Sequence, residues 1–162
     1  IQEVSLMELT YDNVIKWFDA YFQAFNDNEG NPQTAENMRQ YFMPDLEFYS
    51  YNMADEEKPT GVDHLISAIE HPGFHEVFRP QYYVYDEKQK ILVAQLELQF
   101  TETSTGMVFP AKMASAHYHI VQDENKNLKI KKALYWVEAS SPSEPRIIDK
   151  MREYREKQKS GG

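Results

Sequence analysis

With 162 residues, 41% of them hydrophobic and 14% aromatic, the chain is long enough for one packed domain and too short for two comfortable ones. Twenty-six acidic against 17 basic side chains set the formal net charge at -9, a field that repels phosphate polymers and anionic membrane surfaces, so no nucleic acid and no membrane is expected as a partner. Cysteine is absent, which removes disulfide frameworks, thiolate catalysis and cysteine-ligated metal clusters. The apolar runs fall short of a membrane span and no signal-type segment opens the chain, so a cytoplasmic location is the expectation. A trimmed start stays open because Ile1 stands in place of an initiator Met.

Val14, Trp17, Phe18, Tyr21, Phe22 and Phe25 recur at i, i+3, i+4, i+7, i+8 and i+11, one apolar stripe on a helix with Thr10 as its N-cap. The run from Asn26 to Pro32 interrupts that helix and predicts a turn. Thr34 then caps a short second helix carrying Met38, Tyr41 and Phe42, which Pro44 stops. Period two takes over from Leu46 to Tyr51 and predicts a strand with Leu46, Phe48 and Ser50 on one face. A third helix opens at Thr60-Gly61, aligns Val62, Leu65, Ile66 and Ile69, and closes at His71-Pro72-Gly73.

The stretch from Pro72 to Pro80, with Phe74, His75 and Phe78, reads as a loop that serves either as a lid or as a clasp on a sheet edge. Four strands follow, Gln81 to Tyr85, Ile91 to Thr101, Lys112 to Gln122 and Leu128 to Glu138, joined by short polar connectors of hairpin type. The final segment, Ser143 to Lys159, reads as a capped helix with six basic and three acidic residues from Arg146 onward. This cationic element could dock on an anionic body or simply be solvated. Residues 1–142 therefore form one α+β domain and residues 143–162 a charged helix and tail. The domain is a curved antiparallel sheet with the three helices of the N-terminal half packed on one face.

This element order, with its aromatic first helix and Gly61-led third helix, resembles the nuclear transport factor 2-like superfamily, in its SnoaL-like polyketide cyclase and ketosteroid isomerase branch. The resemblance rests on Tyr21-Phe22-Gln23-Ala24-Phe25-Asn26, on Tyr41-Phe42-Met43-Pro44-Asp45-Leu46-Glu47-Phe48, and on Leu128-Lys129-Ile130 through Trp136, within a span from Val14 to Glu138. It implies a cone with a small-molecule pocket at its open end and a homodimer through the opposite sheet face. It also implies that Tyr21 hydrogen-bonds a substrate oxygen and that His117 lies where the isomerases place a carboxylic acid polarising the same oxygen. Ser50 stands near the isomerase base, and Met113 near the strand histidine of scytalone dehydratase. Serine cannot take a carbon-bound proton unaided.

His117 and His119, two apart on a strand, leave the same face about 7 Å apart. An imidazole in an apolar pocket stays neutral and basic, which suits proton transfer. The alternative is that Ala114, Ala116, Tyr118 and Ile120 form the buried face and the histidines look outward. A metal would need a third ligand, for which Glu97 is the only tempting candidate. In the last strand Leu128, Ile130, Lys132, Leu134 and Trp136 share a face, so Lys132 either snorkels at the rim or is displaced by a bulge. His64 and His71 receive no role.

The expectation is a SnoaL-like pocket protein, acting as a cofactor-free lyase, isomerase or cyclase on a compact apolar, polyketide- or steroid-like ligand. His117 and Tyr21 are the candidate catalytic residues, and Trp17, Phe48, Ser50, Phe78, Met113, His119 and Trp136 line the ligand. The alternatives are a non-catalytic binding or dimerisation module of the same fold and, third, an accessory domain that docks a protein through the last helix. No cofactor and no metal are expected.

Overall fold

The computed structural model describes residues 8–28, 32–51 and 60–161. In chain order these form α1 (Tyr11–Asn26), α2 (Pro32–Asn37), a 3-10 turn (Met38–Tyr41), β1 (Phe42–Tyr51), α3 (Val62–Ile69), β2 (Phe74–Asp86), β3 (Ile91–Glu102), β4 (Lys112–Gln122), β5 (Leu128–Val137) and α4 (Ile147–Ser160). The architecture is α+β, one open five-stranded sheet in the order β1-β5-β4-β3-β2 with a core between its inner face and the first three helices. β2 to β5 follow one another as antiparallel hairpins, whereas β1 runs parallel to β5, so the sheet is mixed rather than wholly antiparallel. A parallel pair needs a crossover, and the chain makes it between β1 and the far edge strand β2, by way of α3.

α1 forms as its periodicity requires. The Thr10 hydroxyl accepts from the Asn13 amide, and the stripe of Val14, Phe18, Tyr21, Phe22 and Phe25 is buried. The turn expected after Asn26 lies partly outside the described residues, at 29–31. α2 begins at Pro32 rather than behind a Thr34 cap, as proline's preset φ allows in a first turn. At the end of α1, the Asn26 side chain accepts from the Phe78 amide and donates to the Phe78 carbonyl, at 2.8 and 2.7 Å. His75 Nε2 donates to the Asn26 carbonyl at 2.7 Å. These three bonds pin α1 to β2 and set Tyr21 opposite the Phe78 strand.

Two bulges decide which side chains look inward. β2 starts at Phe74, so the stretch expected as a loop or lid is strand. Pro80 is tolerated because β2 is an edge strand, and the register shifts between Pro80 and Tyr82. Phe74, Glu76 and Phe78 face inward before the shift, and Tyr83 and Tyr85 after it. In β5 the shift falls beside Lys131, between the pairs Ile120↔Ile130 and His119↔Lys132. Leu128 and Ile130 are inward before it, and Ala133, Tyr135 and Val137 after it, so Leu134 and Trp136 do not share a face with Ile130 as expected.

α4 carries no buried residue and stays on the outside of this body. Tyr154 is its principal anchor, edge-on to Phe74 with centroids 5.9 Å apart. Its ring also occupies the space above Gly73, where an added Cβ would lie 2.7 Å from Cε2. Ahead of the helix, Glu144 pairs with Lys112 of β4.

Candidate functional site

The pairing registers place Ser50, Tyr135, Ala116, Ala94 and Tyr83 in one row across the inner face, and Phe48, Ala133, Tyr118, Leu92 and Tyr85 in the next. Three alanines in these rows leave depth above the sheet, which the aromatic ridge of α1 and the tyrosines of the strands share. Tyr118 packs against Phe18 with centroids 5.0 Å apart, and its hydroxyl donates to Tyr21. Tyr135 leans edge-on against Phe78, at 6.0 Å. Its hydroxyl is shut off from solvent and meets no hydrogen-bond partner among the described residues.

A buried contact between an imidazole and a carboxyl group borders this cluster. His71 Nε2 lies 2.8 Å from a carboxylate oxygen of Glu76, the two side chains being 9% and 12% exposed. His71 also meets the edge of Phe100, the cross-strand partner of Glu76. Burial is the main cause that raises the phenols of Tyr21, Tyr118 and Tyr135, and the negative charge of Glu76 adds to it at Tyr21 and Tyr135. All three phenols are therefore neutral donors at physiological pH. The inner face thus presents hydroxyl donors and one carboxylate in an aromatic enclosure, a set able to hold an oxygen and accept a proton.

Of the residues expected at the site, Tyr21, Phe48, Ser50 and Phe78 lie on the inner side. Trp17 stacks on Tyr21 at 5.9 Å with rings 3° from parallel. Met113, His117, His119 and Trp136 lie on the outer face, which corrects the expectation that His117 and Tyr21 meet at one oxygen. The reason is the alternation of β4: Ala114, Ala116, Tyr118 and Ile120 are buried, so the odd-numbered residues must point away. His117 rests on Trp136 with centroids 4.8 Å apart. Burial, then Lys132 and His117, depress the His119 pKa, which Glu47 partly offsets. Glu97 is paired with Arg79 at 3.3 Å, and among the described residues no three His, Asp or Glu side chains gather as a metal ion would require.

Glu76 and His71 were missed. Reading Phe74 to Phe78 as a strand would have exposed Glu76 as a lone charge on an apolar face, and that was the available signal. A separate cleft of about 340 Å³ runs along β1 from Leu46 to Tyr51 and Thr60, and meets the inner face at Phe48 and Ser50.

No family model matches the chain, and no curated protein matches it. Solved structures do match and share its fold, among them a nuclear transport factor 2 from Cryptosporidium parvum and proteins described as SnoaL-like and ketosteroid isomerase-like. AusH from Aspergillus nidulans is similar with a TM-score of 0.62 and 12% identity, over 82% of this chain and 88% of that one. A protein described as a SnoaL-like polyketide cyclase, from Shewanella putrefaciens, gives 0.56 and 14% over 76% and 88%. A protein from Catenulispora acidiphila, in complex with S-DNPA, gives 0.55 and 13% over 78% and 92%. At these identities the likeness is one of fold. Among the described residues no helix is long and apolar enough to cross a membrane.

Proposed function

We propose that this chain holds a compact, largely apolar molecule bearing one carbonyl or hydroxyl oxygen on the inner face of the sheet. There it moves a proton as a cofactor-free lyase, isomerase or cyclase of SnoaL-like type. Tyr21 and Tyr135 donate to the ligand oxygen, and the Glu76 carboxylate, held by His71, takes the proton. The observation that carries this reading is the buried Tyr135 hydroxyl without a partner among the described residues, because a buried donor left unpaired costs stability and calls for a ligand atom. The solved complex of a similarly folded protein with a small molecule supports it.

The test uses 5-nitrobenzisoxazole, a compact apolar probe that opens to a coloured phenolate when a base removes its ring proton. Binding is read from Trp17 fluorescence in a Trp136→Phe background. Glu76→Gln is expected to retain binding and to lower turnover by about 100-fold or more. Tyr135→Phe is expected to weaken binding about 10-fold, the worth of one hydrogen bond. Unchanged turnover in Glu76→Gln would remove Glu76 as the base, and binding without turnover in the wild type would favour the alternative, a non-catalytic ligand-binding module. Absence of any Trp17 response would remove the inner-face site altogether. For the protein partner, we propose a second copy of the chain meeting the outer face of the sheet.

A further inference from the structure

The outer face concentrates apolar surface that the inner site does not use. Tyr49, Tyr51, Tyr82, Val84 and Met113 are 39–58% exposed on it, around a stack of Tyr51 on Trp136 at 4.8 Å. Its charges are balanced: Glu47 stands opposite Lys132 in the β1–β5 register, and Arg79 pairs with Glu97. A chain of net charge -9 repels its own copies over most of its surface, but this patch is apolar and neutral, and so complementary to itself about a two-fold axis.

His117 and His119 stand within this patch. On the β5 side His119 faces Lys132, and His117 faces Leu134 and Trp136. On the β3 side their partners Ile91 and Val93 carry no charge. Beyond β5, β1 contributes Glu47, Tyr49 and Tyr51, with Lys132 Nζ 5.5 Å from the Tyr49 ring. Beyond β3, β2 places Asp86 in the row of Ile91 and His119, where the turn amides of Lys88 and Gln89 hold its carboxylate. Glu47 is the carboxylate whose charge acts on His119, and Lys132 already opposes it.

We infer that His117 and His119 link the proposed pairing of outer faces to protons, so that it forms near neutral pH and dissociates on acidification. The inference rests on the homodimer proposed above. Closing the interface removes water from both imidazoles beside Lys132, which disfavours their charged forms. The dimer therefore binds fewer protons than two monomers. Its affinity is fully present where the histidines are neutral and falls as the pH drops through their titration range.

The test is sedimentation velocity of the full chain at constant ionic strength, with near-UV circular dichroism at each pH to confirm the folded state. The dimer dissociation constant is expected to rise at least about 10-fold between about pH 7.5 and about pH 5.5, one linked proton already giving that factor per pH unit. The double variant His117→Gln, His119→Gln should dimerise with that dependence flattened, and Trp136→Glu should be monomeric. A wild-type monomer at every pH, or a dimer that survives Trp136→Glu, would overturn the pairing itself. A dimer of pH-invariant affinity, or a glutamine variant with undiminished pH dependence, would overturn the proton linkage alone.

Discussion

Replacing Tyr135 by Phe removes one oxygen and keeps the ring, its edge contact with Phe78 and its place in the row beside Ala116. The hydroxyl that is lost is buried and has no partner among the described residues, so in the free protein it is a cost to folding of about 1–3 kcal/mol. Phe at this position is expected to stabilise the chain by about 1–2 kcal/mol. For a domain of this size that corresponds to a rise in Tm of about 3–6 °C. Thermal melts and urea titrations with an unchanged slope read this directly. Tyr118→Phe is the control: its hydroxyl donates to Tyr21, so its removal is expected to lower stability by about 1 kcal/mol. The pair of variants would then move in opposite directions although both lose the same atom from the same face. A Tyr135→Phe variant that melts below the wild type would refute the reasoning, because the hydroxyl would have to be satisfied in the folded chain. The structural case for a ligand oxygen at that point would go with it.

Phe18, fully buried at the centre of the α1 ridge, is expected to cost about 3–5 kcal/mol when replaced by Ala, seen as a lower urea midpoint. Gly73 has φ +89, and a Cβ there would strike the Tyr154 ring. Gly73→Ala should therefore lower Tm and release α4 to proteolysis, whereas Tyr154→Ala should release α4 with a smaller loss of Tm. Asp86 and Asp123 accept backbone amides in the β2–β3 and β4–β5 turns, which hold both carboxyls below their ordinary value of 3.8. Their stabilisation is present above that value and is lost as the pH falls through the lowered one. Asp86→Asn with Asp123→Asn should thus flatten the acid limb of a stability-against-pH curve, and an unaltered limb would count against these turns.

The sequence alone determined what depends on near neighbours. The α1 stripe, the hairpin connectors and the inward face of β4 are all consequences of local periodicity, and Ala114, Ala116, Tyr118 and Ile120 already marked the buried side. Assigning His117 to the pocket from family register overrode that local signal, and the structure follows the residues. Tertiary structure decided the rest. The parallel pairing of β1 with β5, the bulge beside Lys131 that turns Tyr135 inward and Trp136 outward, and the meeting of His71 with Glu76 all depend on how a curved sheet closes over α1. A side chain's face in a strand alternates with period two, so one inserted residue inverts everything after it. Where that insertion falls is set by the neighbouring strand and the sheet's curvature, which no short window of residues contains.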